Sequence, residues 1–408
     1  MKLSIFTPTH DPKWLLEAYA SIKDQPFDEW VIVQNRGGGD KLSELLADPR
    51  VKYYWEPSLP QLVGALKKRA CQLCTGDWLL ELDHDDELLP GACAVIRKAA
   101  EENPNAAMIY SNAAHVNMDG SPRPRWVNFK YDQIGWNGNV VDVPKAYPPL
   151  PSTVARIWYA PDHVRVFNAQ LYRLAGGHRD DMRVLDDLDL MCRLFKVGRF
   201  VHIDAALYVY RVHGENTFLK FNAEIQNNVH RIFETHILEM AMVWSAGESL
   251  MRLNLGAGAE KIPGLTAVDT NPVDDDVLRA DLDQRWPFLD NSVGVVRSYD
   301  CFEHLRNSIH TMKELWRVLV PNGIAIIQVP STDGRGAFQD PTHVSFWNEN
   351  SFLYYTHSSW ARFIGTPVRF QNLLTYTTPA DKNGVKWTRA YLLKLDSTTT
   401  RPPGPIDV

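Results

Sequence analysis

Two strand exits constrain this chain more than anything else in it. Near the N-terminus the apolar run 78–82 opens into Asp83-His84-Asp85, and past the middle Arg252-Leu253-Asn254-Leu255 runs into Gly256-Ala257-Gly258. In open α/β sheets ligands bind beyond the carboxyl ends of strands, so each exit predicts its own sheet and its own site. The 408 residues suffice for two or three domains of roughly 150 residues each, and two accommodate both exits.

Composition removes several classes. A hydrophobic fraction of 45% with 23% charged residues is that of packed globular chains, neither disordered nor fibrous. The net charge is −6 with Lys and Arg scattered, which leaves no basic stripe for long nucleic acid. The first residues enter a strand-like run without the apolar stretch and cleavage site of a signal peptide, so a cytoplasmic location is expected. The longest apolar candidate, 323–329, is far short of the roughly 18 to 20 residues a membrane span requires, so a lipid-linked substrate would be met at the membrane surface. Five cysteines give no disulfide framework, and Cys71 and Cys74 read as helix packing.

The first half alternates in period. Residues 2–7, 30–34, 51–55 and 78–82 read as strands, and 13–23, 41–46 and 62–73 as helices, with the glycines 37–39 ending the second strand. This alternation predicts a largely parallel sheet with helices on both faces. The segment 104–172, rich in Pro, Trp and Tyr, reads as long loops over a cleft rather than a regular layer. After a helix at 187–197 and a strand at 206–212, Phe221, Ile225, Val229, Ile232, Phe233, Ile237, Met240 and Trp244 recur at helical spacing. The expected organisation is therefore a domain over 1–220, a helical connector over 221–248, a second domain over 249–395, and a flexible Thr- and Pro-rich tail over 396–408.

The acids Glu81, Asp83, Asp85, Asp86 and Glu87 crowd one turn, where like charges repel unless a cation or strong donors intervene. A solvated acidic turn is the plainer reading of such a cluster alone. Around it, in order, stand Thr7-Pro8-Thr9, Thr75-Gly76-Asp77, Asp186-Asp187-Leu188-Asp189 with Arg193, and Tyr210-Arg211-Val212-His213. Over about 1–220 the set resembles glycosyltransferase family 2 with its GT-A fold. That resemblance implies a nucleotide-sugar donor, with a UDP-sugar expected ahead of GDP or dTDP, and Mn²⁺ or Mg²⁺. It implies that Asp83 contacts the ribose, that Asp85 ligates the metal with His213 as a further metal or phosphate ligand, and that Asp187, with Asp186 second, is the catalytic base of an inverting transfer. Thr7, Pro8 and Thr9 fall on the donor side. Asn35 stands where the family usually has a base-reading acid, so an amide would read the base. Lys67 matches a basic residue facing the nucleotide, although a surface-helix lysine fits equally.

The second exit permits close backbone approach to a ligand, and Asp269, ending the next strand-like run, is placed to accept ribose hydroxyl protons. A nicotinamide enzyme competes for the glycine turn alone. Further on come Asp281-Leu282, Trp286-Pro287-Phe288-Leu289-Asp290, Phe302-Glu303-His304-Leu305 and Glu314-Leu315-Trp316-Arg317 through Gly323. Together, over about 249–395, they resemble a class I S-adenosylmethionine-dependent methyltransferase of Rossmann-like fold. The resemblance implies that Gly256, Ala257 and Gly258 line the methionine and ribose, that Asp269 holds the ribose, and that Asp281 and Leu282 border the adenine. Ala259-Glu260 replaces a third glycine. His304, Asp340 and His343 are candidate bases.

The combined expectation is a bifunctional enzyme that glycosylates a glycan or glycosylated protein and O-methylates the glycan. Two alternatives remain at this stage: one half catalytic with the other a docking module, or a carbohydrate-binding scaffold using Trp126, Trp136, Tyr147 and Trp158.

Overall fold

The computed structural model describes residues 1–37, 42–126 and 129–395. Gly38, Gly39, Lys41 and the tail 396–408 lie outside the described residues. Among the described residues, one compact unit comprises Met1–Pro149 and Thr153–His236, and the other takes Leu150–Ser152 and residues 237–395.

In the first unit the strands are β1 (Leu3–Thr9), β2 (Glu29–Gln34), β3 (Val51–Trp55), β4 (Trp78–Glu81), β5 (Glu87–Leu88), β6 (Met108–Asn117), β7 (Tyr131–Trp136), β8 (Asn139–Pro144), β9 (Arg165–Asn168) and β10 (Phe200–Val212). Eight of them form a sheet in the order β3-β2-β1-β4-β9-β6-β10-β5, while β7 and β8 make a separate hairpin. The stretch β3-β2-β1-β4 is parallel. Its strands β1, β2 and β4 are buried along their whole length, as the near-continuous apolar runs require of strands covered on both faces. Beyond β4 the sheet becomes mixed, because β9 runs antiparallel to both β4 and β6.

That half corrects the expectation of loops over 104–172: β6 and β9 lie near the middle of the sheet. Their signal is weak because β6, Met-Ile-Tyr-Ser-Asn-Ala-Ala-His-Val-Asn, mixes small and polar residues into a buried strand. Ser111 and Asn112 are buried but hydrogen bonded, Asn112 Nδ2 donating to Asp204 at 3.0 Å.

The second unit holds β11 (Met251–Leu255), β12 (Thr266–Asp269), β13 (Leu278–Arg279), β14 (Val293–Tyr299), β15 (Leu319–Pro330), β16 (Phe370–Thr377) and β17 (Trp387–Lys394). Their order is β13-β12-β11-β14-β15-β17-β16. The first five are mutually parallel, and β17 alone is reversed, running antiparallel to both β15 and β16. Its core is built on Leu253, Val268, Trp286, Val296, Phe302, Leu315, Ile327 and Leu392. The expected long helix spans Asn222–Gly247, with Ile225, Val229, Phe233, Ile237 and Met240 buried at the anticipated spacing. The division between the units falls within it.

In both sheets the chain leaves a central strand in opposite directions. β1 sits between β2 and β4, and β11 between β12 and β14. Such reversal points open a crevice at the carboxyl ends of the strands, and both predicted exits lie there.

Candidate active sites

The first crevice is a cavity of about 690 Å³ lined by Pro8, Thr9, Lys67, Asp83, Asp85, Asp187 and His213, among others. Asp85 follows β4, and His213 follows β10. His213 Nε2 lies 2.8 Å from Asp85 Oδ2, while its Nδ1 accepts the Glu215 N–H at 3.1 Å. Burial works to raise the Asp85 pKa, but His213 and His84 outweigh it and hold the group below its usual value. Because Nδ1 accepts, Nε2 carries the proton and donates to Asp85 Oδ2, and a hard cation at the Asp85 carboxylate would displace this hydrogen bond. Asp83 faces His163, whose Nε2 is 3.7 Å from Asp83 Oδ2 and has no hydrogen-bond partner among the described residues. Asp86 is not free for a ligand: it accepts the Tyr208 hydroxyl and the Arg211 N–H, both at 2.8 Å.

Asp187 opens the helix Asp186–Phe195. Its Oδ2 accepts from Arg165 Nη1 at 2.7 Å and its Oδ1 from Leu188 N–H at 2.8 Å. Burial opposes ionisation, yet Arg165 and Lys67 keep the group below its usual pKa. Neighbouring Asp186 turns inward and is 3% exposed. Burial pushes it up to about 7 despite Lys67, with Asp187 and Glu81 adding to the rise. The helix-start reading and the site reading of Asp187 therefore coexist.

Lys67 is no surface lysine. It lies in the helix Val63–Leu73, is 6% exposed, and pairs with fully buried Glu81 at 2.5 Å. Thr7 is also committed internally: its hydroxyl donates to Leu82 C=O at 2.6 Å and accepts Trp30 Nε1–H at 2.8 Å. Thr9 bonds to its own loop at Asp11. Asn35 is buried outside the cavity lining, with its amide nitrogen on Pro60 C=O at 3.2 Å and its amide oxygen unpartnered among the described residues. Sequence reasoning missed His163 and Arg165. A lone arginine inside Val164-Arg165-Val166-Phe167 was the available sign, since a charge in a buried strand demands a partner.

In the second unit Gly256 and Gly258 have φ of +64° and +53°, conformations that favour glycine. A Cβ on Gly256 would stand 2.4 Å from Cys301 Sγ. Asp269 ends β12 and accepts Gly258 N–H at 2.8 Å and Asn271 N–H at 2.9 Å, so it holds the glycine loop in shape. Asp281 is exposed and caps Asp283 N–H at 3.0 Å, whereas Leu282 is buried. Glu260, in the place of the third glycine, pairs with Arg297 at 2.9 Å. Past β14, His304 and His343 approach with ring centroids 4.9 Å apart. Glu303 beside them is 2% exposed, and burial pushes its carboxyl up to about 8.

Residues 4–149 match Glycosyl transferase family 2, and residues 256–327 match a Methyltransferase domain. Chondroitin synthase of Escherichia coli is 25% identical over 235 residues, 56% of this chain and 31% of that protein. Hyaluronan synthase of Pasteurella multocida is 25% identical over 198 residues, 47% of this chain and 18% of that protein. The chain thus spans less than a third of either relative. Among solved structures, Staphylococcus aureus TarS 1-349 aligns with a TM-score of 0.45 at 16% identity, covering 60% of this chain and 70% of that one. The chain thus carries a segment similar to glycosyl transferase family 2, followed by a segment similar to a methyltransferase domain.

Proposed function

We propose that the first domain, over 1–220, transfers a sugar with inversion from a nucleoside diphosphate donor, a UDP-sugar first, to a hydroxyl of a glycan, and that the second, over 249–395, O-methylates that glycan. The observation that carries the first half is the gathering of Asp83, Asp85, His213 and Asp187 around one cavity at the reversal point of the sheet. Relatives named for chondroitin and hyaluronan favour a glycan acceptor.

In this reading Asp187 removes the proton of the attacking hydroxyl. Arg165 and the Leu188 N–H fix both of its oxygens, so the carboxylate is ionised and aimed before the acceptor arrives. Asp83 takes the ribose and Asp85 with His213 the metal, Mn²⁺ or Mg²⁺. When bound, such an ion supplies charge neutralisation to the departing diphosphate. In the methyltransferase domain, Gly256, Ala257 and Gly258 let the backbone approach S-adenosylmethionine, and Asp269 holds the ribose beside them. Acceptor alignment then supplies most of the methyl transfer. Among the described residues no helix is long and apolar enough to cross a membrane, so lipid-linked acceptors would be met at a surface.

Calorimetric titration of UDP, GDP and dTDP with Mn²⁺, and of S-adenosylhomocysteine, tests the reading on the wild type, Asp85→Ala and Asp269→Ala. The expected result is one nucleotide lost in Asp85→Ala and S-adenosylhomocysteine lost only in Asp269→Ala. Binding of one class alone would leave a single active half, and binding of neither would favour a scaffold.

A further inference from the structure

We infer that Glu303, His304 and His343 form a divalent transition-metal site in the methyltransferase domain, separate from the cation site of the glycosyltransferase domain. One ligand atom from each of the three lies within 4.8 Å of the others. Glu303 follows β14, and His343 lies in the loop after β15, so neighbouring parallel strands deliver the set.

The hydrogen bonds prepare these groups as ligands. His343 Nδ1 sits 3.0 Å from Ala337 C=O, which can only accept, so Nδ1 carries the proton and Nε2 keeps its lone pair. That Nε2 is 4.0 Å from Glu303 Oε1 and 4.0 Å from Asp340 Oδ2. The Thr342 hydroxyl donates to Asp340 at 2.6 Å. It therefore accepts from His304 Nδ1 at 3.1 Å, and His304 also keeps its Nε2 lone pair. Histidines oriented through the other ring nitrogen are the usual support of a metal centre. Glu303 completes the case: both carboxylate oxygens are buried without a hydrogen-bond partner among the described residues, although its backbone C=O is held by Val344 and Ser345 N–H. A buried carboxylate left without donors is costly, and a cation beside two imidazole lone pairs resolves it. Ligands of a tetrahedral ion with bonds of about 2.1 Å stand roughly 3.4 Å apart, so a small inward movement closes the site.

Two imidazoles and one carboxylate suit Zn²⁺, Mn²⁺ or Fe²⁺ and leave a position open for an exogenous oxygen. Cys301, two residues before Glu303, packs against Gly256, which puts the site at the same sheet edge as the cofactor loop. Resting on the methyltransferase reading, the role follows. The acceptor hydroxyl bound at the open position loses its proton to solvent, and the oxygen attacks the methyl carbon. A C–O bond forms as the C–S bond breaks, the electron pair returning to sulfur and leaving S-adenosylhomocysteine.

The test uses the full chain, stripped with chelator, in an Asp85→Ala background that removes the other cation site. Co²⁺ titration followed by its visible d–d absorption reports the site directly, with S-adenosylhomocysteine binding measured in parallel. One equivalent of Co²⁺ is expected, displaced by Zn²⁺, with affinity at least tenfold weaker in Glu303→Gln and in His304→Ala and the thermal transition of the metal-free protein retained in His304→Ala. S-Adenosylhomocysteine should bind with or without metal; its failure to bind would sink the methyltransferase reading while leaving the metal result standing. No Co²⁺ bound in the Asp85→Ala protein, or equal affinity in all variants, would overturn the inference.

Discussion

Replacing Lys67 by methionine should strongly destabilise the first unit, and the size of the effect follows from its surroundings. The ammonium lies 2.5 Å from Glu81 Oε1, and neither residue is more than 6% exposed. Methionine preserves the stem and removes the charge. Glu81 would then face Asp83, Asp186 and Asp187 with Arg165 as its remaining cation, 4.0 Å away and already engaged by Asp187 at 2.7 Å. Breaking a buried pair by deleting one partner costs about 3–5 kcal/mol, because it leaves an uncompensated charge. For a unit of this size each kcal/mol moves the melting temperature by about 2–4 °C, so the first-unit transition should fall by roughly 6–20 °C in scanning calorimetry. The companion Lys67→Met/Glu81→Leu removes both charges, leaves Arg165 with Asp187, and should recover most of the loss, since buried pairs exchange for apolar residues at little cost. A single variant as stable as wild type, or a double variant no better than the single, would refute the argument.

Other outcomes are equally checkable. Glu29, on β2, is held down to about 2 by hydrogen bonds to Lys52, Ser4 and Thr75 that overcome burial; its stabilisation is complete above its usual 4.5 and drains away as pH falls toward 2, so Glu29→Gln should flatten the urea midpoint over that window. Gly256→Ala forces a Cβ into Cys301 at φ +64°, and S-adenosylhomocysteine affinity should drop at least tenfold by calorimetry while nucleotide binding stays. Asp187→Asn should lower sugar transfer by about 10² to 10⁴, the span of general base catalysis, with nucleotide affinity kept; loss of binding instead would make Asp187 a donor ligand.

The parts of this protein legible in its sequence are those where one residue type answers one local demand. Continuous apolar runs gave β1, β2 and β4, and glycine marked the positive φ of 256 and 258, because nothing else relieves those conformations cheaply. β6 and β9 were illegible for the opposite reason: Ser111, Asn112 and Arg165 are buried through partners remote in sequence, Val164, Asp204 and Asp187 respectively. The same remoteness hid the environment of Lys67, whose helical spacing says nothing of a carboxylate on a neighbouring strand. Thr7 shows the converse, since a motif position at a strand exit turned out to spend its hydroxyl on Leu82 and Trp30.

The acid cluster of the first unit also sorts itself once its partners are assigned. Glu81 belongs to Lys67 and Asp187 to Arg165. Asp86 is pushed well above the usual range by burial, then by Asp85 and Asp83, and binds Tyr208 and the Arg211 N–H. Asp186 rises to about 7 for the same first reason. What remains is Asp83 and Asp85, which border the cavity and, among the described residues, have only histidines as ion-pair partners within 4 Å, His163 for the first and His213 and His84 for the second. Arginine and lysine thus serve Asp187 and Glu81, while Asp83 and Asp85 at the cavity are left with imidazole partners. A buried crevice built this way attracts positive charge from solvent.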